Sequence, residues 1–91
     1  MKEYHVEYSK RAQKQIKKLD RQIQRLLFAW IDKNLEGVSD PRIHGKGLTG
    51  NHAREWRYRI GDYRLICDIQ DDIMIILALE FGHRRSVYNK K

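Results

Sequence analysis

Tyr4, Val6 and Tyr8 alternate with His5 and Glu7, and a period of two in β-prone residues predicts a short first strand. At Ser9 the period changes. Ala12, Ile16 and Leu19 fall on one helical stripe behind a serine suited to the N-cap, leaving Lys10, Arg11, Lys14, Lys17 and Lys18 on the remaining surface. Asp20 offers a second cap, and Ile23, Leu26, Leu27, Trp30 and Ile31 carry the helical period on until Gly37 lets the chain leave. The two helices predict a hairpin.

From Glu36 to His52 the periodicity disappears, while four glycines and Pro41 predict a loop. A loop this long in a short chain is more often functional than filler. Three strand patterns follow, Ala53 to Ile60, Tyr63 to Gln70 and Ile73 to Phe81, with Gly61-Asp62 and Asp71-Asp72 as two-residue turns. The last is apolar on both faces, with Ile73, Ile75 and Leu77 on one and Met74, Ile76 and Ala78 on the other, as in a central strand under helices. The order β-α-α-β-β-β predicts an α+β fold, an antiparallel sheet with a helical hairpin packed on one face. At 91 residues the chain is expected to form a single domain over residues 1–91.

Charge narrows the partners. Nineteen Lys and Arg against twelve Asp and Glu give a net +7, which points to polyanions: nucleic acid first, an acidic protein second. A charge excess serving only solubility is the plain alternative. A membrane surface is disfavoured, because no segment pairs a broad basic face with a Trp- or Phe-rich one, and Glu80 interrupts the longest apolar run. The lone Cys67 excludes an internal disulfide, and the opening residues lack a secretory apolar stretch, so a cytoplasmic protein is expected.

In the second strand Glu55, Arg57 and Arg59 share one face, while Trp56, Tyr58 and Ile60 take the other. Arg64 returns from the hairpin, and His83, Arg84, Arg85 and Tyr88 follow the last strand. If the tail folds over the charged face, these groups converge. Such a set suits RNA cleavage by its own 2′-OH, which needs fixed cations at the phosphoryl oxygens, a base at the hydroxyl and an acid at the leaving oxygen. Arginine supplies only cations, since a pKa above about 12 makes it a very poor base. The proton carriers are sought in His83, Tyr88 and Glu55, each of which also has an ordinary surface role open to it. The basic helix surface, Lys10, Arg11, Lys14, Lys17, Lys18, Arg21 and Arg25, together with Lys46 and Arg85, is read as an RNA-phosphate-binding set. The scattered His5, His44, His52 and His83 form no metal motif, Gly45-Lys46-Gly47 lacks the rest of a phosphate-binding loop, and neither metal nor cofactor is expected.

Over nearly the whole chain these residues resemble the RelE branch of the RelE/ParE toxin superfamily. The resemblance rests on Leu48-Thr49-Gly50 before Trp56-Arg57, on Gly61-Asp62-Tyr63-Arg64-Leu65, and on the closing Gly82-His83-Arg84-Arg85-Ser86-Val87-Tyr88. It implies a toxin that cuts messenger RNA in the ribosomal A site and is silenced by an acidic, partly disordered antitoxin, to be sought on Ile73 to Tyr88. It also implies that Arg57, Arg59, Arg64, Arg84 and Tyr88 fill the family's catalytic positions. The two strand positions are lysines in the best-known member, one of them assigned as base, which moves that role to His83, a position where related toxins also carry histidine. Two other classes remain open: a ParE-like toxin acting on DNA gyrase, and a non-catalytic nucleic-acid-binding module.

Overall fold

The computed structural model describes residues 3–47 and 54–83. Strand β1 (His5–Tyr8) leads into helices α1 (Lys10–Lys17) and α2 (Arg21–Asn34). Strands β2 (Lys46–Gly47), β3 (Glu55–Ile60), β4 (Tyr63–Gln70) and β5 (Ile75–His83) follow, and all five form one sheet in the order β1-β5-β4-β3-β2. The α+β order expected from the pattern is the one observed, with β2 added from within the expected loop. Pairing is antiparallel from β5 through β2, but β1 runs parallel to β5. No hairpin joins those two strands, and with every other element between them the connection is long enough for a parallel neighbour.

Local chemistry explains the element ends. Ser9 caps α1 by accepting from the Ala12 N–H at 3.1 Å, and its hydroxyl donates to the Leu79 carbonyl at 3.1 Å, fixing the helix to the last strand. Asp20 occupies the N-cap position of α2 without a side-chain cap bond. Instead the Gln24 amide donates to the Ile16 and Leu19 carbonyls, satisfying the end of α1. Gly61 has φ +60 while Asp62 does not share a positive φ, which identifies the tight β3–β4 turn as type II′.

Two expectations about the last hairpin need correction. Its turn spans four residues, Asp71 to Met74, not two: Gln70 pairs with Ile75, and Met74 takes a left-handed φ of 55. Ile73 therefore leaves the strand and is exposed. Farther along, Cys67 pairs with Ala78 but Ile66 pairs with Glu80, so Leu79 is an extra residue in β5. That bulge shifts the alternation of everything after it.

Side-chain alternation then divides the sheet. Tyr58, Ile60, Leu65, Cys67, Ile69, Ile76, Ala78 and Phe81 are buried with Ala12, Ile16, Leu27, Ile31 and Leu35 of the helical layer. Each side chain the size of Leu27 or Ile31 contributes roughly 1.5–3 kcal/mol on burial. Burial pushes the Cys67 thiol up, so it stays protonated and inert. Among the described residues no helix is long and apolar enough to cross a membrane.

Because Ser9 both caps α1 and ties it to β5, Ser9→Ala should cost about 1–2 kcal/mol in urea unfolding, the upper part of the N-cap range. An unchanged midpoint would show that these two bonds contribute nothing net.

Candidate nucleic-acid site

The face of the sheet away from the helices carries the residues that alternate with the core. Arg59 pairs with Arg64 and Arg57 with Ile66 across β3 and β4, so three guanidinium groups share one surface. Lys46 pairs with Arg57 across β2 and β3 and joins them. Gly45, Lys46, Arg57, Arg59 and Arg64 line a recess of about 260 Å³. Arg64 is only 6% exposed, so its charge sits at the floor of the recess and not in bulk water. Four cationic side chains around a concave, partly dehydrated surface attract a multiply charged oxyanion more strongly than the same charges spread on a convex one. The planar guanidinium fork suits bidentate contact with phosphoryl oxygens.

The second wall is the chain segment from Pro41 to Gly47. Gly45 has φ +81, and a β-carbon on it would stand 2.2 Å from the Arg57 carbonyl oxygen and 2.9 Å from Trp56 and Tyr58 side-chain atoms. Only glycine lets the loop approach β3 this closely. The buried Tyr58 hydroxyl donates to the Pro41 carbonyl at 2.6 Å, and the Trp56 indole N–H donates to the His44 carbonyl at 2.6 Å. Burial holds the Tyr58 hydroxyl well above its ordinary pKa, so it remains a donor. Arg42 makes a two-pronged contact with Asp71 at 3.0 and 2.9 Å, and Tyr4 donates to the same carboxylate at 2.6 Å. Arg42, followed by Tyr4, lowers Asp71 to about 2. The segment is a strapped wall of the recess, which is why it has no periodicity of its own.

The residues singled out from the sequence separate into groups. Arg57, Arg59, Arg64 and Lys46 come together in the recess, and Glu55 shares their face two residues before Arg57, opposite Asp68. The expected convergence does not include His83. It pairs with Tyr63, and its ring lies edge-on to Tyr63 at 5.7 Å, on the helix side of the sheet beside the stacked Tyr63 and Phe81. The Leu79 bulge is the cause, since uninterrupted alternation from Ala78 would have turned residue 83 to the cationic face. Arg84, Arg85 and Tyr88 lie outside the described residues. Lys10, Arg11, Lys14, Lys17, Lys18, Arg21 and Arg25 lie in the helical layer, apart from the recess; Arg11 reaches Glu80 at 3.5 Å. The pattern alone does not assign Gly45 to the recess, or Glu80 to the sheet face that carries it. Gly45 has the local signature of a turn residue, although a Gly-Lys-Gly run beside a cationic strand is the signal that points to it. Glu80 has the signature of a break in an apolar run, and the bulge brings it to the arginine face opposite Ile66.

The chain and its fold have counterparts among known proteins. The family model for the ParE toxin of the type II toxin–antitoxin system parDE matches residues 6–88. The toxin–antitoxin complex RelBE2 from Mycobacterium tuberculosis contains a chain 27% identical, with a TM-score of 0.80 over 92% of this chain and 94% of that one. The archaeal RelE–RelB complex from Pyrococcus horikoshii OT3 contains one 26% identical, with a TM-score of 0.72 over 91% of this chain and 97% of that one. The isolated E. coli RelE toxin, at 19% identity and TM-score 0.72 over 93% and 96%, shares the fold. No curated protein matches the sequence.

Two outcomes follow from the strapped wall. Gly45→Ala combines a disfavoured φ with a backbone collision, so it should destabilise by about 1–3 kcal/mol in denaturant unfolding; full stability would mean that the loop does not need this approach. Asp71 gives an acid signature. Its folded pKa of about 2 lies below the ordinary value of about 3.9, so the latch contributes fully above pH 4 or so and is lost as pH falls towards 2. With the Asp71 carboxylate 54% exposed, solvent screening limits that contribution to under about 1 kcal/mol. Asp71→Asn should lower stability at neutral pH and flatten its fall between pH 4 and 2, and an unaltered profile would contradict the latch.

Proposed function

From the premise that the chain belongs to the ParE toxin family of type II toxin–antitoxin systems, in the RelE/ParE superfamily, we propose that it acts in the RelE manner, as a ribosome-dependent endoribonuclease that cuts messenger RNA and stops translation. The observation that carries this reading is the recess of Arg57, Arg59, Arg64 and Lys46, a set of fixed cations on a sheet face that no helix among the described residues covers. The relatives described as toxin–antitoxin complexes support a cognate antitoxin as partner. An acidic, partly disordered segment that folds on binding suits a chain of net +7, and in this reading it docks on the stretch from Ile73 to Tyr88.

In the reaction the 2′-oxygen attacks phosphorus, the bond to the 5′-oxygen breaks, and the products are a 2′,3′-cyclic phosphate and a 5′-hydroxyl. Negative charge grows on the two non-bridging oxygens and on the leaving oxygen. Arg57, Arg59 and Arg64 hold that charge, and Lys46 holds a neighbouring phosphate. Arg84 and Tyr88 complete the set that the resemblance implied, with Tyr88 passing a proton to the leaving oxygen. Glu55, on the cationic face, is the residue proposed to take the 2′-OH proton. His83 enters only if its ring leaves Tyr63 and rounds the end of β5.

The match to a ParE family model favours one second reading, action on DNA gyrase without RNA cleavage. Primer extension on a translated messenger, with and without ribosomes, separates the two. Cuts within the coding region are expected, ribosome-dependent, and weakened about 10²-fold by Arg64→Ala, the usual effect of removing one group aimed at developing charge. Intact messenger together with broken DNA and copurifying gyrase would establish the second reading. His83→Gln should keep nearly the full cleavage rate and the same pH profile. A fall of about 10²-fold, with loss of a step in the imidazole range, would return the proton-transfer role to His83.

A further inference from the structure

We propose that Trp56 is a positioning residue for RNA binding: held beneath Arg42, it sets the loop that carries Lys46 into the recess. The inference rests on the RNA-binding reading of that recess and adds what governs its outer wall. Trp56 itself does not face the recess. It alternates with Arg57 and packs against the core, on the other side of β3. Three of its contacts lead to the loop. The Arg42 guanidinium lies 5.7 Å from the ring centroid, a cation–π distance. A β-carbon on Gly47 would stand 2.9 Å from the ring, so the backbone of β2 rests directly on the indole. The indole N–H donates to the His44 carbonyl at 2.6 Å. Arg42, His44 and Gly47 thus meet one side chain, and Gly45 and Lys46, which line the recess, lie between the last two.

These contacts have a fixed origin. Arg42 is clamped by Asp71 in the β4–β5 turn, and Asp71 is held in turn by Tyr4. Among the described residues β2 comprises Lys46 and Gly47 and pairs with β3, and two ladder pairs by themselves give Lys46 a weak hold. The indole adds a restraint through Gly47, the His44 carbonyl and Arg42. A lysine stem has several rotatable bonds, and its ammonium is a compact point charge; its value to a phosphate depends on where its backbone is anchored. A phenylalanine at position 56 would keep a ring for Arg42 and Gly47 but lose the donor to His44.

The test measures binding of a short single-stranded 2′-O-methyl oligoribonucleotide, which cannot be cleaved through its 2′-oxygen, by the full chain and by the variants Trp56→Phe, Lys46→Ala and the double. Thermal unfolding is followed in parallel. Trp56→Phe should weaken binding about fivefold with the chain still folded at the assay temperature. The double variant should bind no more weakly than Lys46→Ala alone, because an indole that acts by placing Lys46 has nothing left to place. Additive losses would overturn the inference while leaving the RNA reading intact, as would a Trp56→Phe variant of lower melting temperature and unchanged affinity. If the unaltered chain fails to bind the oligoribonucleotide but still cleaves messenger on ribosomes, cleavage survives and the positioning role falls. Failure of both binding and cleavage removes the reading and the inference together.

Discussion

Everything at the candidate site depends on the alternation of side chains across β3 and β4. Tyr58, Ile60, Leu65, Cys67 and Ile69 are buried under the helices, and a strand that buries these residues has no choice about where the intervening ones go. Arg57, Arg59 and Arg64 are therefore delivered to the opposite face by the same burial that stabilises the fold. A one-residue slip would exchange the faces, placing arginines in the core at a cost of several kcal/mol each. The register that folds the chain is the register that assembles the cations.

Two kinds of support hold the recess around that sheet. The strand wall is continuous with the core and shares its rigidity. The loop wall is held by a few directional contacts: Tyr58 to the Pro41 carbonyl, Trp56 to the His44 carbonyl, and Arg42 to Asp71. Gly45 permits the close approach that makes those bonds reachable. This division gives the loop wall the lower local stability and makes it the part of the site most open to adjustment when a ligand arrives.

Much of this is legible in the sequence because it is governed by short periods. The alternation through Trp56, Arg57, Tyr58 and Arg59 identifies both faces of β3, Ser9 reads as a cap, and Gly61-Asp62 as a tight turn. What cannot be read is set by contacts between distant segments. The parallel pairing of β1 with β5 has no local signature, and neither does the pairing of Lys46-Gly47 with β3. The Leu79 bulge matters most. Nothing in Leu77-Ala78-Leu79-Glu80 distinguishes a regular strand from one with an extra residue, yet that residue decides that Glu80 joins the arginine face and His83 joins Tyr63 on the other. A proton-transfer role for His83 thus depends on one register shift that the sequence does not signal, whereas the cationic cluster, lying before the bulge, does not.

The claim that the open-face cations bind RNA phosphates is tested most directly by the salt dependence of that binding. Removing one phosphate-binding cation should reduce the slope of log affinity against log salt by about 0.7 for a single strand. Measured with an uncleavable oligoribonucleotide, Arg59→Ala and the pair Arg57→Ala with Arg59→Ala should flatten the slope by about one and about two such steps, with the chain still folded. Weaker binding at an unchanged slope, or a slope that responds only to the helix lysines Lys14 and Lys17, would contradict the claim and place the phosphates elsewhere on the molecule.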